Sequence, residues 1–347
     1  MELGIIGYGG MGAYHCTRIS EGNHKSLTQL KIKGVFDIDE KRNETARKQG
    51  LYVYSSMEEM LSDEEIGGVL IATPNDTHAP IAKAAAEHGK HILSEKPIAC
   101  SPEEAKRMYE VAEKNGVTLC VDQNRRFDRD YLTMCEIVKS GEVGKVYRVE
   151  SIVSGGNGIP GAWRKEKARG GGMMLDWGVH LLDQMYMLYG KPERIICRAS
   201  YALNEEVDDG FSFLAEYQDG TEYLISVETN CFVPRTRWTL LGEEGTAHIL
   251  DWSVNGEVIR VKERHDDGLH AIHAGNGLTK TMATRREETL ERVPLPEVFA
   301  DYFAIYNNFL DVMKGGEPIT RKEEVLSVMN LMEAAMRSSS EKKYITI

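Results

Sequence analysis

The segment GGGMMLDWGVH, residues 170–180, carries an aspartate and a histidine at a spacing that could support acid–base chemistry. Asp176 and His180 are four residues apart, so in a helix both side chains would lie on one face. Oxidation of a secondary alcohol requires that the hydroxyl lose its proton, and a histidine can accept it near neutral pH while a nearby carboxylate orients the substrate. Alternatively, Asp176 is a first-turn charge and His180 simply packs. The segment by itself leaves both interpretations open.

A glycine-rich stretch near the start of the chain fits the pattern G-x-G-x-x-G. It consists of Gly7, Tyr8, Gly9, Gly10, Met11 and Gly12. In a chain with 33 glycines the pattern can arise by chance, and a tight structural turn is the alternative. Here it follows a predicted strand and opens a predicted helix, where the glycines allow the turn, the approach of a pyrophosphate and close helix–strand packing. The helix N-terminus would favour the phosphate charge. The stretch therefore predicts a dinucleotide site.

A carboxylate at the end of the second predicted strand agrees with this site. Asp37 lies 25 residues beyond Gly12 in VFDID, and its oxygens could accept hydrogen bonds from both hydroxyls of the adenosine ribose. The same charge would repel a 2′-phosphate, so the sequence favours NAD over NADP. Arg42 could soften that preference by offering a cation, which keeps NADP possible, and Asp39 is the better candidate for a helix cap.

A lysine occupies a position where parallel sheets bind ligands. Lys96 follows Glu95 in HILSEKPIA, at the carboxyl end of a predicted strand. Beside a cationic nicotinamide the pKa of Lys96 would fall, or the lysine could stay charged and donate a hydrogen bond to a substrate hydroxyl. The alternative is a surface lysine paired with Glu95 or another carboxylate.

Regular alternation of apolar runs and amphipathic segments defines the elements that would position these residues. The apolar runs LGIIG, IKGVFD, GGVLIAT, HILS and VTLCV alternate with predicted helices at 10–21, 40–49, 77–88 and 102–115. Such alternation predicts a parallel sheet that is covered on both faces. Ser101, followed by Pro102 and by Glu104, is typical of a helix start.

After about residue 123 the pattern changes to one that predicts an α+β domain with an antiparallel sheet. Helices are expected at 128–139, 173–189, 298–314 and 321–337, a polar excursion at 263–292, and strands at 145–153, 193–201, 210–217, 221–231, 235–241, 245–250 and 256–262. A chain of 347 residues usually divides into two domains, and we place the boundary so that the domains are 1–123 and 124–347.

Composition excludes several classes of protein. The chain has 54 acidic and 42 basic residues, a net charge of −12 that argues against binding to nucleic acid or anionic membranes. We find no transmembrane stretch and no signal peptide, so we expect a cytoplasmic protein. Six scattered cysteines form no Cys-x-x-Cys pair, and a loop with His265, His270 and His273 has no convincing ligand spacing, so we predict neither a disulfide framework nor a metal site.

Taken in order, these motifs resemble one oxidoreductase family. The glycine motif with Asp37, ATPNDTHAPIA (72–82), SEKPIA (94–99), AWR (162–164) and the segment at 170–180 are similar to glucose–fructose oxidoreductase, inositol dehydrogenase and rhizopine-catabolism oxidoreductases. The resemblance runs nearly end to end, including NNFLDVMKGGEPIT near the C-terminus. It implies an N-terminal Rossmann doubly wound parallel sheet and a C-terminal α+β domain with a large open, mostly antiparallel sheet. That sheet commonly forms a subunit interface, which implies a homodimer or homotetramer, and the last helices could pack back on the first domain.

The resemblance also assigns roles to individual residues. It implies a catalytic trio in which Lys96 contacts nicotinamide and substrate, Asp176 binds a substrate hydroxyl and His180 is the acid–base group. Further cofactor-binding positions implied besides the glycine motif, Asp37 and Arg42 are Thr73, Pro74, Asn75, His78, Glu95, Lys96, Arg125, Trp163 and Arg164. Arg126 fits the same cofactor-proximal stretch as Arg125.

The function expected from these observations is hydride transfer between nicotinamide and a ring hydroxyl or carbonyl of a sugar, inositol or related polyol. Three other functions fit the same fold. They are glycoside hydrolysis through transient oxidation by a tightly held NAD, non-catalytic dinucleotide sensing with a regulatory partner, and reduction of unsaturated carbonyls or imines. Fold analogy alone does not separate them.

Overall fold

Five parallel strands form the sheet of the N-terminal part of the chain. The computed structural model describes residues 2–161, 163–262, 272–273, 275–277, 279–280 and 285–347. The strands run in the order β2-β1-β3-β4-β5. Their bounds are β1 (Glu2–Ile6), β2 (Ile32–Phe36), β3 (Ile66–Ile71), β4 (His91–Ser94) and β5 (Leu119–Val121). Because the order reverses at β1, a crevice opens above the carboxyl ends of β1 and β3, where sheets of this kind bind ligands.

Helices cover both faces of this sheet. All six residues of β3 are buried, which explains why its sequence is a continuous apolar run rather than an alternating one. The helices are α1 (Gly10–His24), α2 (Glu40–Lys48), α3 (Met57–Ser62), α4 (His78–Glu87) and α5 (Pro102–Lys114). Asp39 and Ser101 cap α2 and α5 as expected. Helix α3 was not expected, because six residues are too few to show a helical period.

The second sheet has nine strands and is mostly antiparallel. In the described part of the chain, its order is β15-β12-β11-β10-β6-β9-β8-β7-β16, and the central β6 and β9 are the parallel pair. The strands are β6 (Val146–Ser154), β7 (Arg194–Ser200), β8 (Gly210–Glu216), β9 (Glu222–Glu228), β10 (Trp238–Gly242), β11 (Gly245–Ile249), β12 (Gly256–Val261), β15 (Leu290–Pro294) and β16 (Ile345–Thr346), and a separate pair is formed by β13 (Ile272–His273) and β14 (Thr279–Lys280). The predicted fold class is confirmed.

The described residues of the second half of the chain form four α-helices, of which one packs on the first sheet. They are α6 (Arg129–Ser140), α7 (Val179–Tyr189), α8 (Ala304–Val312) and α9 (Lys322–Glu341). Helix α9 lies on β7, where Ser338 Oγ accepts a hydrogen bond of 2.9 Å from the Cys197 N–H. Helix α8 instead packs on the first sheet, since Phe309 is fully buried in one core with Leu3 and Ile5.

Two expectations for the C-terminal part were wrong in detail. Strand β15 occupies 290–294, at the end of the segment expected to be a polar excursion, because an edge strand with mostly exposed side chains shows no apolar pattern. Helix α8 begins at Ala304 rather than at 298. Among the described residues, no helix is both long enough and apolar enough to cross a membrane.

Candidate active site

The glycine motif forms a tight turn between β1 and α1. Gly7 has a φ of +94°, and a Cβ built on Gly12 would lie 1.9 Å from the carbonyl oxygen of Gly7. Both positions therefore require glycine. A Cβ built on Gly10 would have no described heavy atom within 4 Å. The residue before α1 is Gly9, which has no side chain to cap the first N–H groups of the helix. The first N–H groups of the helix thus face an open cradle, which fits the pyrophosphate of a dinucleotide.

Asp37 lies beside this turn. Its side chain is buried, with Oδ2 accepting a hydrogen bond of 2.6 Å from the Tyr8 N–H and Oδ1 one of 2.8 Å from the Asp39 N–H. The half-exposed guanidinium of Arg42 lies 3.3 Å from Asp37 Oδ2. An acceptor suited to ribose hydroxyls and a cation suited to a phosphate therefore stand side by side. Tyr8 also donates a hydrogen bond from its hydroxyl to Gln49.

Two residues of the predicted catalytic trio are in direct contact. Lys96 Nζ donates to the backbone oxygen of Asp176 at 2.9 Å and to its Oδ1 at 3.2 Å. Arg164 Nε lies 3.1 Å from the same Oδ1. Burial alone would raise the pKa of Asp176, but the positive charges of Lys96 and Arg164 together hold it below its ordinary value. Asp176 is therefore a carboxylate between two cations, and Arg164 is further stacked on Trp163, 4.4 Å from the ring centroid.

His180, the third residue, faces the same cleft. It is buried, and its Nδ1 has no hydrogen-bond partner among the described residues. Burial, and then the positive charges of Lys96 and Arg125, hold the pKa of His180 well below its ordinary value. The imidazole is therefore neutral at neutral pH and able to accept a proton. Its ring meets that of Trp177 at an angle of 66°, with 6.0 Å between centroids.

The glycines before this helix serve packing. Gly172 has a φ of +104°, and a Cβ there would lie 2.2 Å from Asp208 Oδ1. Asp208 Oδ2 accepts a hydrogen bond of 2.8 Å from the Met174 N–H and so holds the start of the segment. A π-helical turn over Met174–Gly178 then leads into α7. Such turns are rare in proteins, and those that occur often lie at functional sites. This one carries Asp176.

Lys96, Asp176 and His180 line one cleft of about 430 Å³ between the two sheets. The other lining residues come from the motif helix, from the segment after β5, from the π-helical turn and from the region of α8. They are Met11, Tyr14, Asp122, Asn124, Arg125, Phe127, Asp128, Trp177, Tyr302, Ile305 and Tyr306. The cleft thus joins the glycine motif to the predicted catalytic trio.

Four further predicted cofactor residues lie in or just after the loop that follows β3. The loop after β3 contains Thr73, Pro74 and Asn75. Asn75 Nδ2 donates a hydrogen bond of 2.8 Å to the carbonyl oxygen of Gly170. His78 does not face the cleft, because it is fully buried and its ring nitrogens lie 3.0 Å from the backbone oxygens of Pro97 and Thr73. It therefore braces the two loops that carry the site.

The two predicted arginines after β5 have different environments. Arg125 lines the cleft, where it pairs with Asp128 at 2.7 Å and lies 4.4 Å above the ring of Trp177. Arg126 points into the interior instead, with two bonds of 2.7 and 2.8 Å to Asp183 and one of 2.6 Å to Glu324. The structure therefore does not bring the Arg126 side chain to the cleft that Arg125 lines, because adjacent residues of a 3₁₀ turn point in different directions.

Sequence reasoning missed a buried polar cluster beneath the cleft, formed by His15, Glu95, Asp122 and Tyr306. His15 Nε2 lies 2.9 Å from Glu95 Oε1, and its Nδ1 lies 2.7 Å from the Tyr306 hydroxyl. Glu95 was expected to meet a cofactor, but its side chain is buried in this cluster. A histidine on the buried face of α1 was the available signal. Of the histidine loop, His265 and His270 lie outside the described residues, and His273 is exposed.

Comparisons with known proteins agree with this arrangement. Residues 1–123 match the model of an oxidoreductase family with an NAD-binding Rossmann fold, and residues 131–248 match the GFO/IDH/MocA C-terminal domain. An NAD-binding protein from Listeria innocua superposes with a TM-score of 0.87 and 38% identity, covering 99% of this chain and 96% of its own.

Two curated relatives are more distant. An uncharacterized oxidoreductase, C115.03, of Schizosaccharomyces pombe is 29% identical and covers 86% of each chain. The scyllo-inositol 2-dehydrogenase (NADP(+)) IolW of Bacillus subtilis is 25% identical and covers 100% of this chain and 96% of its own. With its glycine turn, its two sheets and matches to both domains, the chain belongs to the GFO/IDH/MocA family of NAD(P)-binding oxidoreductases.

Proposed function

We propose that this oxidoreductase transfers a hydride between a nicotinamide dinucleotide and a ring hydroxyl or carbonyl of a sugar, an inositol or a related polyol. The observation that carries the proposal is the presence of Lys96, Asp176 and His180 in one cleft with the glycine motif. A bound dinucleotide supplies the hydride acceptor or donor. The N–H groups at the start of α1, together with Asp37 and Arg42, are the residues that would hold its pyrophosphate and adenosine ribose.

Each member of the trio has a role that its surroundings support. The neutral imidazole of His180 accepts the hydroxyl proton during oxidation and returns it during reduction. Lys96 Nζ donates a hydrogen bond to the reacting oxygen and stabilises the charge that develops there. The carboxylate of Asp176 accepts a hydrogen bond from a second substrate hydroxyl. Arg164 compensates for this carboxylate whenever Lys96 turns toward the substrate.

A polyol substrate is supported by the polar lining of the cleft. Asn124, Arg125 and Asp128 line it together with the trio, so several donors and acceptors face the space that a substrate would fill. The Oδ1 atom of Asn124 is buried and has no partner among the described residues. A ring with several hydroxyls would satisfy such groups, whereas an apolar carbonyl compound would leave them unpaired. The name of the relative IolW agrees with this substrate class.

The direct test is oxidation of a panel of inositols and aldoses by the purified protein with NAD⁺ or NADP⁺, followed by absorbance of the reduced nicotinamide. We expect turnover with at least one ring polyol. An aryl glycoside cleaved without net NADH would instead support glycoside hydrolysis, and dinucleotide binding without turnover on any substrate would support a sensor. The same assay includes an imine and an unsaturated carbonyl compound with NADPH, since reduction of these alone would contradict the polyol proposal.

We also infer that the subunits associate through the face of the nine-stranded sheet that lies opposite α9. Ile196, Leu214 and Leu224 are partly exposed neighbours across three strands there, and Phe232 beyond β9 is 80% exposed. Light scattering during gel filtration should report a dimer or tetramer for the native chain. The variant Leu214→Lys should lower the measured mass of the particle in solution. The control variant Glu333→Lys, at a distant and exposed position on α9, should leave that mass unchanged. A monomeric native chain would contradict the inference.

A further inference from the structure

The cluster beneath the cleft joins four elements. His15 comes from α1, Glu95 from the end of β4, Asp122 from the end of β5 and Tyr306 from α8. All four side chains are nearly or fully buried, and Asp122 Oδ2 lies 3.8 Å from His15 Nε2. Asp122 and Tyr306 also line the cleft. The cluster therefore touches the space between the glycine motif and Lys96 from below.

The contacts within the cluster determine which protonation state of each side chain is favoured. Burial alone would lower the pKa of His15, but the hydrogen bond and charge of Glu95, together with Asp122, raise it above its ordinary value. Burial alone would raise the pKa of Glu95, which His15 and Lys96 hold below its ordinary value. The contact between the two side chains therefore favours the protonated imidazole of His15 and the ionised carboxylate of Glu95. His15, Glu95 and Asp122 offer ligand atoms within 4.8 Å of one another, but a ring nitrogen of His15 that carries a proton has no lone pair for a metal ion.

Asp122 is the member whose charge is finely balanced. Burial and then the negative charge of Glu95 raise the pKa of Asp122 to about 7, against the positive charges of His15 and Lys96. The other titratable or charged groups that line the cleft are Tyr14 from α1, Tyr302 and Tyr306 from the region of α8, and Arg125, Asp128, Asp176 and His180 from the second half of the chain. A single charge entering the cleft would therefore shift the equilibrium between neutral and ionised Asp122.

We propose that Asp122, held by the His15–Glu95 pair, couples the protonation of the cleft to the charge of the nicotinamide bound there. Oxidised nicotinamide carries one more positive charge than the reduced form, so it favours the Asp122 carboxylate, and the reduced form favours the neutral acid. This inference rests on the proposed function, because it requires the nicotinamide end of the dinucleotide to lie near Lys96.

The coupling also balances the proton of the reaction. Oxidation of an alcohol by the oxidised dinucleotide yields a carbonyl compound, the reduced dinucleotide and one proton. Asp122 loses a proton to solvent when the oxidised dinucleotide binds. It becomes the favoured acceptor for a proton once the positive charge of the nicotinamide has disappeared. The proton that His180 takes from the hydroxyl can therefore remain in the cleft until the cofactor leaves.

The test is to measure the Kd of NAD⁺ and of NADH, or of NADP⁺ and NADPH if these bind more tightly, by titration calorimetry from pH 5.5 to 8.5. The ratio of the two constants removes the pH dependence that comes from any group whose titration affects both dinucleotides equally. We expect binding of the oxidised form relative to the reduced form to strengthen by about tenfold as the pH rises through 7, and to level off above that. Titrations in two buffers of different ionisation enthalpy should show release of up to about one proton per oxidised dinucleotide.

The variant Asp122→Asn should abolish both the pH dependence and the proton release, because the amide does not titrate. Asp128→Asn is the matched control, since it removes a carboxylate from the same cleft but outside the cluster, and it should keep the pH dependence. A pH-independent ratio in the native protein would overturn the proposal, as would a dependence that survives Asp122→Asn or a stoichiometric metal ion found by elemental analysis. Failure of any dinucleotide to bind would instead contradict the proposed function itself.

Discussion

Lys96 Nζ lies 3.2 Å from Asp176 Oδ1, although 80 residues separate the two in the chain. Lys96 follows β4 of the parallel sheet, and Asp176 stands in the π-helical turn that precedes α7. The pair therefore closes the cleft at the junction of the two halves of the chain. Each side chain thereby gives the other an oppositely charged hydrogen-bond partner.

Replacing Lys96 should impair catalysis more than binding of the dinucleotide. In Lys96→Ala the donor to the reacting oxygen is lost, while Asp176 keeps its ion pair with Arg164. We expect kcat to fall by about 10²- to 10⁴-fold. Steady-state kinetics on the best polyol would measure this loss, with the Kd of the dinucleotide from calorimetry as the comparison. A variant with near-native kcat would remove Lys96 from the mechanism.

The acid limb of the pH profile should report His180. Because its pKa lies well below 6.5, kcat/KM for oxidation should stay high as the pH falls through 6.5 and decline only at lower pH. Arg125→Gln removes one of the positive charges that lower this pKa, so the limb should move to higher pH. In His180→Ala the acid limb should disappear, and the rate should fall by about 10²-fold or more. An acid limb that is unchanged in His180→Ala would assign it to another group.

Two glycines of the motif should respond differently to alanine. Gly12→Ala places its Cβ against the carbonyl oxygen of Gly7, so β1 and α1 would have to separate, and the melting temperature should fall by several degrees. Gly10→Ala meets no described atom within 4 Å and should stabilise α1 by about 0.5–1 kcal/mol. Thermal unfolding of both variants measures this. Equal melting temperatures would contradict the assignment of Gly12 to helix–strand packing.

Arg126 should matter for stability rather than for the cofactor. Its removal in Arg126→Ala leaves Asp183 buried without its cation and Glu324 with Arg321 alone, and we expect the free energy of unfolding to fall by about 3–5 kcal/mol. Chemical denaturation provides the measurement. The Kd of the dinucleotide at a temperature where the variant is folded should stay within about twofold of the native value. A selective loss of dinucleotide affinity with native stability would return Arg126 to the cofactor site.

Local features of the fold were accessible from the sequence alone. The turn at Gly7–Gly12 and the caps at Asp39 and Ser101 depend on backbone geometry and on hydrogen bonds that span only a few residues. The alternation of strands and helices in the first half likewise follows from apolar runs that are buried on both faces. The short helix α3 and the exposed edge strand β15 escaped prediction because neither is long or apolar enough to show a period.

The pairing of distant side chains was decided only by the tertiary structure. Neighbouring arginines looked equivalent in the sequence, yet Arg126 reaches Glu324 across 198 residues while Arg125 lines the cleft. His15 meets Glu95 and Asp122 only because β1, β3, β4 and β5 are ordered so that their carboxyl ends adjoin the start of α1. The chemistry of each group was thus present in the sequence, whereas its partners, and hence its charge state, depend on which strands lie side by side.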